Sequence, residues 1–264
     1  MIPKIIHYCW FGGNPLPEDA KRYIESWKKY CPDYEIKEWN EKNFDLDMYP
    51  YVREAYDNRK FAFVTDVVRL YACYHEGGLY MDTDVEVLKN LDRFLVHDGV
   101  SGFESSTQIP TGMMGCCKGF PLFKELLDEY EGVHFVKPDG SLDRTTNVIR
   151  ITNTCLKYGF VPNSQYQVVN GFALYPSEFF CPKDCKDGVI RCTENSYTIH
   201  HFAGSWLTGE EKKRSVFRRK VQPIFGDNFF SDAICGVYSV FSRMREKGLS
   251  DTMRYYKGKI TGKK

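Results

Sequence analysis

Residues 66–84 read DVVRLYACYHEGGLYMDTD, and this stretch decides the fold. Over residues 60–76, Phe63, Val67, Leu70, Tyr71 and Tyr74 fall on one helical face. Gly77 and Gly78 close that helix and turn the chain. Leu79–Met81 then forms a short apolar strand, and Asp82-Thr83-Asp84 stands at its carboxyl end. In open α/β sheets, ligands bind just beyond the carboxyl ends of strands. Two carboxylates placed there are hard oxygen ligands suited to Mg²⁺ or Mn²⁺. Such an ion can neutralise the phosphates of a nucleotide.

Working outward, residues 2–11 (IPKIIHYCWF) read as a buried first strand, closed by Gly12, Gly13, Pro15 and Pro17. Residues 19–30 carry Ile24, Trp27 and Tyr30 at helical spacing, and Pro32 stops them. Residues 34–39 alternate as a second strand. A βαβ opening of this kind predicts a mostly parallel sheet. Further strands are expected near 85–95, 100–104, 172–176 and 197–201, and further helices at 121–130 and 144–158. The expectation is an α/β fold, a Rossmann-like mixed sheet flanked by helices. Residues 1–209 would form that domain, and 210–264 a helical, basic C-terminal extension.

At 264 residues and 42 % apolar, the chain can bury a full core. A net charge of +1 supplies no field for nucleic acid. The charge is uneven, however: residues 212–264 hold fourteen Lys and Arg against four Asp and Glu. A basic tail on an acidic body suits an anionic membrane surface. The opening Met1-Ile2-Pro3-Lys4 does not read as a signal peptide, and no apolar run reaches spanning length. The ten cysteines do not form a disulfide pattern. The expected location is therefore the cytoplasm, peripheral on the inner membrane face. Cys181, Cys185 and Cys192 with His200 suggest zinc only weakly, because the spacing is not that of a zinc knuckle.

Asp66 and Arg69 lie three apart and share a helical face. Arg69 could hold a phosphate or a sugar hydroxyl, with Asp66 accepting from sugar hydroxyls; an ordinary surface pair would look the same. In HHFAGSW, His200 or His201 could complete a metal sphere, and the Trp206 indole could donate to a phosphate. A core histidine and a packing tryptophan are the plainer reading. Trp10, beside two glycines, could stack on a nucleobase. Glu104, in GFE, either contacts a sugar or caps a loop. Neither GxGxxG nor a P-loop is present, which argues against a dehydrogenase or a P-loop enzyme.

Taken together, IPKIIHYCWFGG, FAFVTDVVRLYACYHEGGLYMDTDVEVLKNLD, GFE and HHFAGSW resemble glycosyltransferase family 32 over residues 1–210. The resemblance implies a GT-A fold and retaining transfer of a sugar from a nucleotide donor. Trp10 would stack on the base, and Asp66 with Arg69 would grip the donor sugar. Asp82 would lie near the ribose and the metal's water shell, and Asp84 would bind Mn²⁺ (or Mg²⁺) directly. His201 would be the second protein ligand, and Ser205 and Trp206 would meet the diphosphate. The donor expected is a UDP-sugar such as UDP-galactose. The acceptor expected is a lipid-linked capsular or surface polysaccharide. A metal-dependent nucleotidyl- or phosphotransferase and a non-catalytic sugar-binding module stand as alternatives.

Overall fold

The computed structural model describes residues 1–184, 187–204, 209, 213–214, 216–218, 220–221 and 229–260. Among these, the strands are β1 (Ile5–Cys9), β2 (Glu35–Trp39), β3 (Gly78–Met81), β4 (Val85–Val87), β5 (Gly99–Gly102), β6 (Met113–Cys116), β7 (Gln167–Val169), β8 (Phe172–Tyr175) and β9 (Thr198–His200). The helices are α1 (Glu18–Tyr30), α2 (Pro50–Asp57), α3 (Phe61–Glu76), α4 (Pro121–Asp128), α5 (Asn147–Lys157), α6 (Ser177–Phe180), α7 (Phe229–Lys247) and α8 (Leu249–Ile260). The chain forms two compact units. One is Met1–Lys183 with Ile190–Ala203, and the other is Asp184–Val189 with Gly204–Lys264.

The larger unit is built on a seven-stranded mixed sheet in the order β2-β1-β3-β6-β5-β8-β7. β1, β2 and β3 run parallel, as the βαβ opening predicts. β6 is antiparallel to both β3 and β5, so β5 again points the way of β3. β5 and β8 are parallel, and β7 closes the edge antiparallel to β8. The carboxyl ends of β1, β3 and β5 therefore open on one edge of the sheet. β4 and β9 form a separate antiparallel ribbon, with Val85 opposite His200.

Strand alternation divides the core between the two faces of the sheet. Ile6, Tyr8, Leu79 and Met81 join the layer that contains Ile24 and Trp27 of α1. Cys9, Tyr80 and Met114 face the layer of α3, α2 and α4. α1 is amphipathic, burying Ala20, Tyr23, Ile24 and Trp27, with acids in its first turn and lysines in its last. α3 is apolar on most sides because it lies deep in its layer.

β6 and α2 lack a strong local signal. β6 (MMGC) is a fully buried central strand without alternation. α2 starts on Pro50, whose missing N–H is harmless at a first helical position. α5 starts three residues later than its periodicity predicts. The Asp143 carboxylate accepts from the backbone N and Oγ1 of Thr145 and holds that segment in a turn.

His7 ties β1 to its neighbours from inside the core. Its Nε2 is 2.7 Å from the Gly77 carbonyl, and the Trp39 indole lies 3.1 Å from its Nδ1. The indole can only donate, so Nδ1 accepts and the proton sits on Nε2. Burial lowers the His7 pKa below its ordinary value. The unfolded chain then binds more protons than the folded one, so stability holds above about pH 6.5 and falls as pH drops toward the folded value. Urea melts between pH 7.5 and 5 should show this loss, and His7→Gln should flatten it. Parallel pH profiles for the two proteins would refute the assignment.

In the smaller unit, α7 and α8 follow one another through Gly248. Val216, Val237, Phe241, Leu249 and Met253 are exposed there, close in sequence to the exposed Arg245, Lys247 and Arg254. No helix among the described residues is long and apolar enough to cross a membrane.

Candidate active site

The triplet leaves β3 at the carboxyl edge, and period-two alternation puts Tyr80 and Asp82 on one face. Tyr80 donates its hydroxyl to Asp82 Oδ1 at 2.7 Å. That face meets α3, where Asp66 and Arg69 lie one turn apart. Arg69 Nη2 is 3.3 Å from Asp66 Oδ1 and 3.3 Å from Asp82 Oδ1. The pair is buried, with Asp66 7 % and Arg69 5 % exposed, which rules out an ordinary surface pair. The other Arg69 contacts run inward. Nε donates to Thr65 O, Nη1 to Thr111 O and Oγ1, and Nη2 to Thr65 Oγ1. All three guanidinium nitrogens are thus engaged, and Arg69 acts first as the cation that holds Asp66 and Asp82.

Burial pushes the Asp66 carboxyl up to about 6, against the pull of Arg69 and of an N–H bond from Asn147. Burial disfavours charge on Arg69 too, but Asp82, Tyr80 and Asp66 more than offset it and keep it charged. Asn147 opens α5 here. Its backbone N donates to Asp66 Oδ2 at 3.1 Å, and its Nδ2 donates to the Asp66 carbonyl at 2.8 Å.

Asp84 lies past the turn, held by α1 and the β4–β9 ribbon. The Trp27 indole donates to Val85 O at 2.7 Å, and Ser26 Oγ accepts from Val87 N at 2.9 Å. Asp84 Oδ2 accepts from Ala203 N at 2.7 Å. Asp82, Asp84 and His200 each offer a ligand atom, and these atoms lie within 4.8 Å of one another. No other such group occurs among the described residues.

The imidazole in this group is His200, where the resemblance pointed to His201. Consecutive strand residues face opposite ways. The ribbon's register turns His200 toward Asp84, with Nε2 3.3 Å from Oδ1. His201 turns away. Its Nε2 lies 2.8 Å from Glu86 Oε2, and its ring stacks on Tyr23 at 4.5 Å.

The residues present fit a divalent ion. The donors are two carboxylates and an imidazole. His200 Nδ1 is buried without a hydrogen-bond partner. Gly112 leaves the space beside them open: a Cβ there would come within 2.8 Å of His200 Cε1 and 3.2 Å of Asp82 Oδ2. Burial opposes charge on both Asp84 and His200, but each is driven to its charged form by the other, and an ion held by the imidazole would take the place of its proton.

Trp10 follows β1 on the same sheet edge, its indole donating to Asn14 O at 2.5 Å. Ser205, Trp206 and Cys185 lie outside the described residues. Cys192 is exposed, and Cys181 is buried with its thiol beside His200. Tyr80, Thr111, Gly112 and Asn147 are site residues that sequence reasoning missed. Only Tyr80 carried a signal, two positions before Asp82 on a strand.

Residues 17–101 match the family model for the glycosyltransferase sugar-binding region containing a DXD motif, and this span includes α3 and the whole triplet. This part of the chain is similar to the sugar-binding region of DXD-containing glycosyltransferases. The chain is 32 % identical over 130 residues to inositol phosphoceramide mannosyltransferase 3 of Schizosaccharomyces pombe, a match covering 48 % of this chain and 36 % of that protein. It is 26 % identical over 240 residues to an uncharacterized glycosyltransferase of Acanthamoeba polyphaga mimivirus, covering 83 % of this chain and 90 % of the relative. Among solved structures, it is similar to the galactosyltransferase LgtC in complex with donor and acceptor sugar analogs. That match has a TM-score of 0.42 and 13 % identity, and covers 82 % of this chain and 95 % of the other. The matches to the fission-yeast inositol phosphoceramide mannosyltransferases span less than half of those proteins' lengths.

Proposed function

We propose that the protein is a metal-dependent, retaining hexosyltransferase that moves a sugar from a nucleotide donor to a hydroxyl of a lipid-linked glycan. The observation that carries this reading is the meeting of Asp82, Asp84 and His200 at the sheet's carboxyl edge, beside the buried Asp66–Arg69 pair. A divalent ion, Mn²⁺ or Mg²⁺, would supply positive charge to the donor's diphosphate there.

The chain's own groups do the rest. Arg69 keeps Asp66 and Asp82 in place. Asp66 accepts from a donor-sugar hydroxyl, and Trp10 stacks on the base. By the family resemblance, Ser205 and Trp206 would donate to the departing diphosphate. The acceptor hydroxyl attacks the face that the diphosphate leaves, and its proton passes to a phosphate oxygen, which retains configuration. No protein nucleophile is required.

A UDP-sugar such as UDP-galactose is the preferred donor, and a capsular or surface polysaccharide intermediate the preferred product. The yeast relatives are named for mannosyl transfer to inositol phosphoceramide or phosphorylinositol ceramide. That favours a second reading, with a mannosyl donor and a glycolipid acceptor. Both readings place the acceptor at a lipid surface. The exposed Phe241, Leu249 and Met253 and the basic residues of the smaller unit suit the anionic inner face of a membrane.

A screen of UDP- and GDP-sugars with Mn²⁺ tests the reaction. Release of free nucleoside diphosphate supports it, release of pyrophosphate indicates nucleotidyl transfer, and no turnover leaves a binding module. Co-sedimentation with anionic but not neutral vesicles tests the lipid surface, and equal partition would remove it.

A further inference from the structure

Glu104 stands two residues past β5, on the sheet edge that β3 also reaches. Its backbone is pinned on both sides. Glu104 N donates to Gln108 O at 2.8 Å, and Phe103 N donates to Tyr175 O at 2.9 Å. The loop that starts at Glu104 ends inside the site. Thr111 receives Arg69, and Gly112 lies against His200 and Asp82. Ser101 Oγ joins the loop's two ends, 3.3 Å from Pro110 O and 2.8 Å from Met113 O.

The Glu104 side chain is partly withdrawn from water, and its carboxylate has no hydrogen bond or ion pair with any described residue. Burial holds its carboxyl above the usual range. It is close enough to His200, Asp82 and Asp84 to feel their charges. A desolvated carboxylate without a partner is costly, and such groups concentrate where a ligand completes them.

Chemistry narrows the ligand. Glu104 is not among the residues whose ligand atoms converge within 4.8 Å, so it is not a further member of the cation cluster. A diphosphate would meet like charge. A polyol fits, because a carboxylate offers several lone pairs to adjacent hydroxyls.

We propose that Glu104 binds hydroxyls of the transferred sugar and so selects which sugar is accepted beside the cation cluster. This rests on the nucleotide-sugar reading above and deepens it. A Glu104 bond forms with the sugar but not with the nucleoside diphosphate, so the two ligands report on it separately.

Calorimetry in Mn²⁺ should compare wild type, Glu104→Gln and Glu104→Asp against UDP-galactose and UDP, and against GDP-mannose and GDP. For the pair that wild type binds, Glu104→Gln should weaken the nucleotide sugar about tenfold or more. The nucleoside diphosphate should stay within about twofold, because Glu104 does not touch it. Glu104→Asp, which keeps the charge, should fall between. Unchanged binding of the nucleotide sugar overturns the assignment, and so does equal weakening of both ligands. If wild type binds neither pair, the functional reading itself falls, and the Glu104 assignment with it.

Discussion

His200→Ala will lose the proposed metal-dependent donor turnover by about a thousandfold, on the scale of removing a group that stabilises developing charge. His201→Ala will stay within about tenfold of wild type, the low end of effects seen when an outer-shell partner is removed. The contrast follows from strand parity. His200 shares a space of 4.8 Å with Asp82 and Asp84. His201 spends its imidazole on Glu86 and Tyr23, and so braces the ribbon from the far side. Asp84→Ala should match His200→Ala, with the added loss of the bond from Ala203 N. Mn²⁺ titration of turnover, together with electron paramagnetic resonance of bound Mn²⁺, measures both steps. A His201→Ala protein that is the weaker Mn²⁺ binder would reverse the ligand assignment.

Arg69→Ala will cost the fold about 3–5 kcal/mol, the usual penalty for stranding a buried charge. Two carboxylates depend on this one guanidinium, Asp66 and Asp82, each 3.3 Å from Nη2. The Thr111 carbonyl and hydroxyl and the Thr65 carbonyl lose donors as well. Arg69→Lys will restore little, because one ammonium cannot reach partners spread around a planar fork. Urea unfolding of the purified variants gives the value directly. A loss below 1 kcal/mol for Arg69→Ala would mean that water reaches these carboxylates and that the pair is not a structural pivot.

Most of the sheet was legible in the chain because its signals are local. β1, α1, β2, α3 and β3 each carry their own periodicity and stop residues, and each lies within a few residues of its expected bounds. β6 was not legible. A central strand buried on both faces has no alternation to show, and only pairing with β3 and β5 defines it. The site divides in the same way. Asp82 and Asp84 follow a strand, and Asp66 and Arg69 share a helical face, so sequence spacing was enough to group them. His200 comes from far along the chain, and choosing it over His201 takes the register of a two-stranded ribbon.

The chain by itself therefore determined the α/β class, the strand that presents the carboxylates and the helical pair that faces them. These rest on hydrophobic period and on spacings of two to four residues, which a sequence states outright. Tertiary structure decided which imidazole joins the carboxylates, why Gly112 must lack a side chain, and that Arg69 is enclosed rather than free. Each of those depends on which distant backbones pair and in what register. A shift of one residue turns every side chain of a strand to its opposite face.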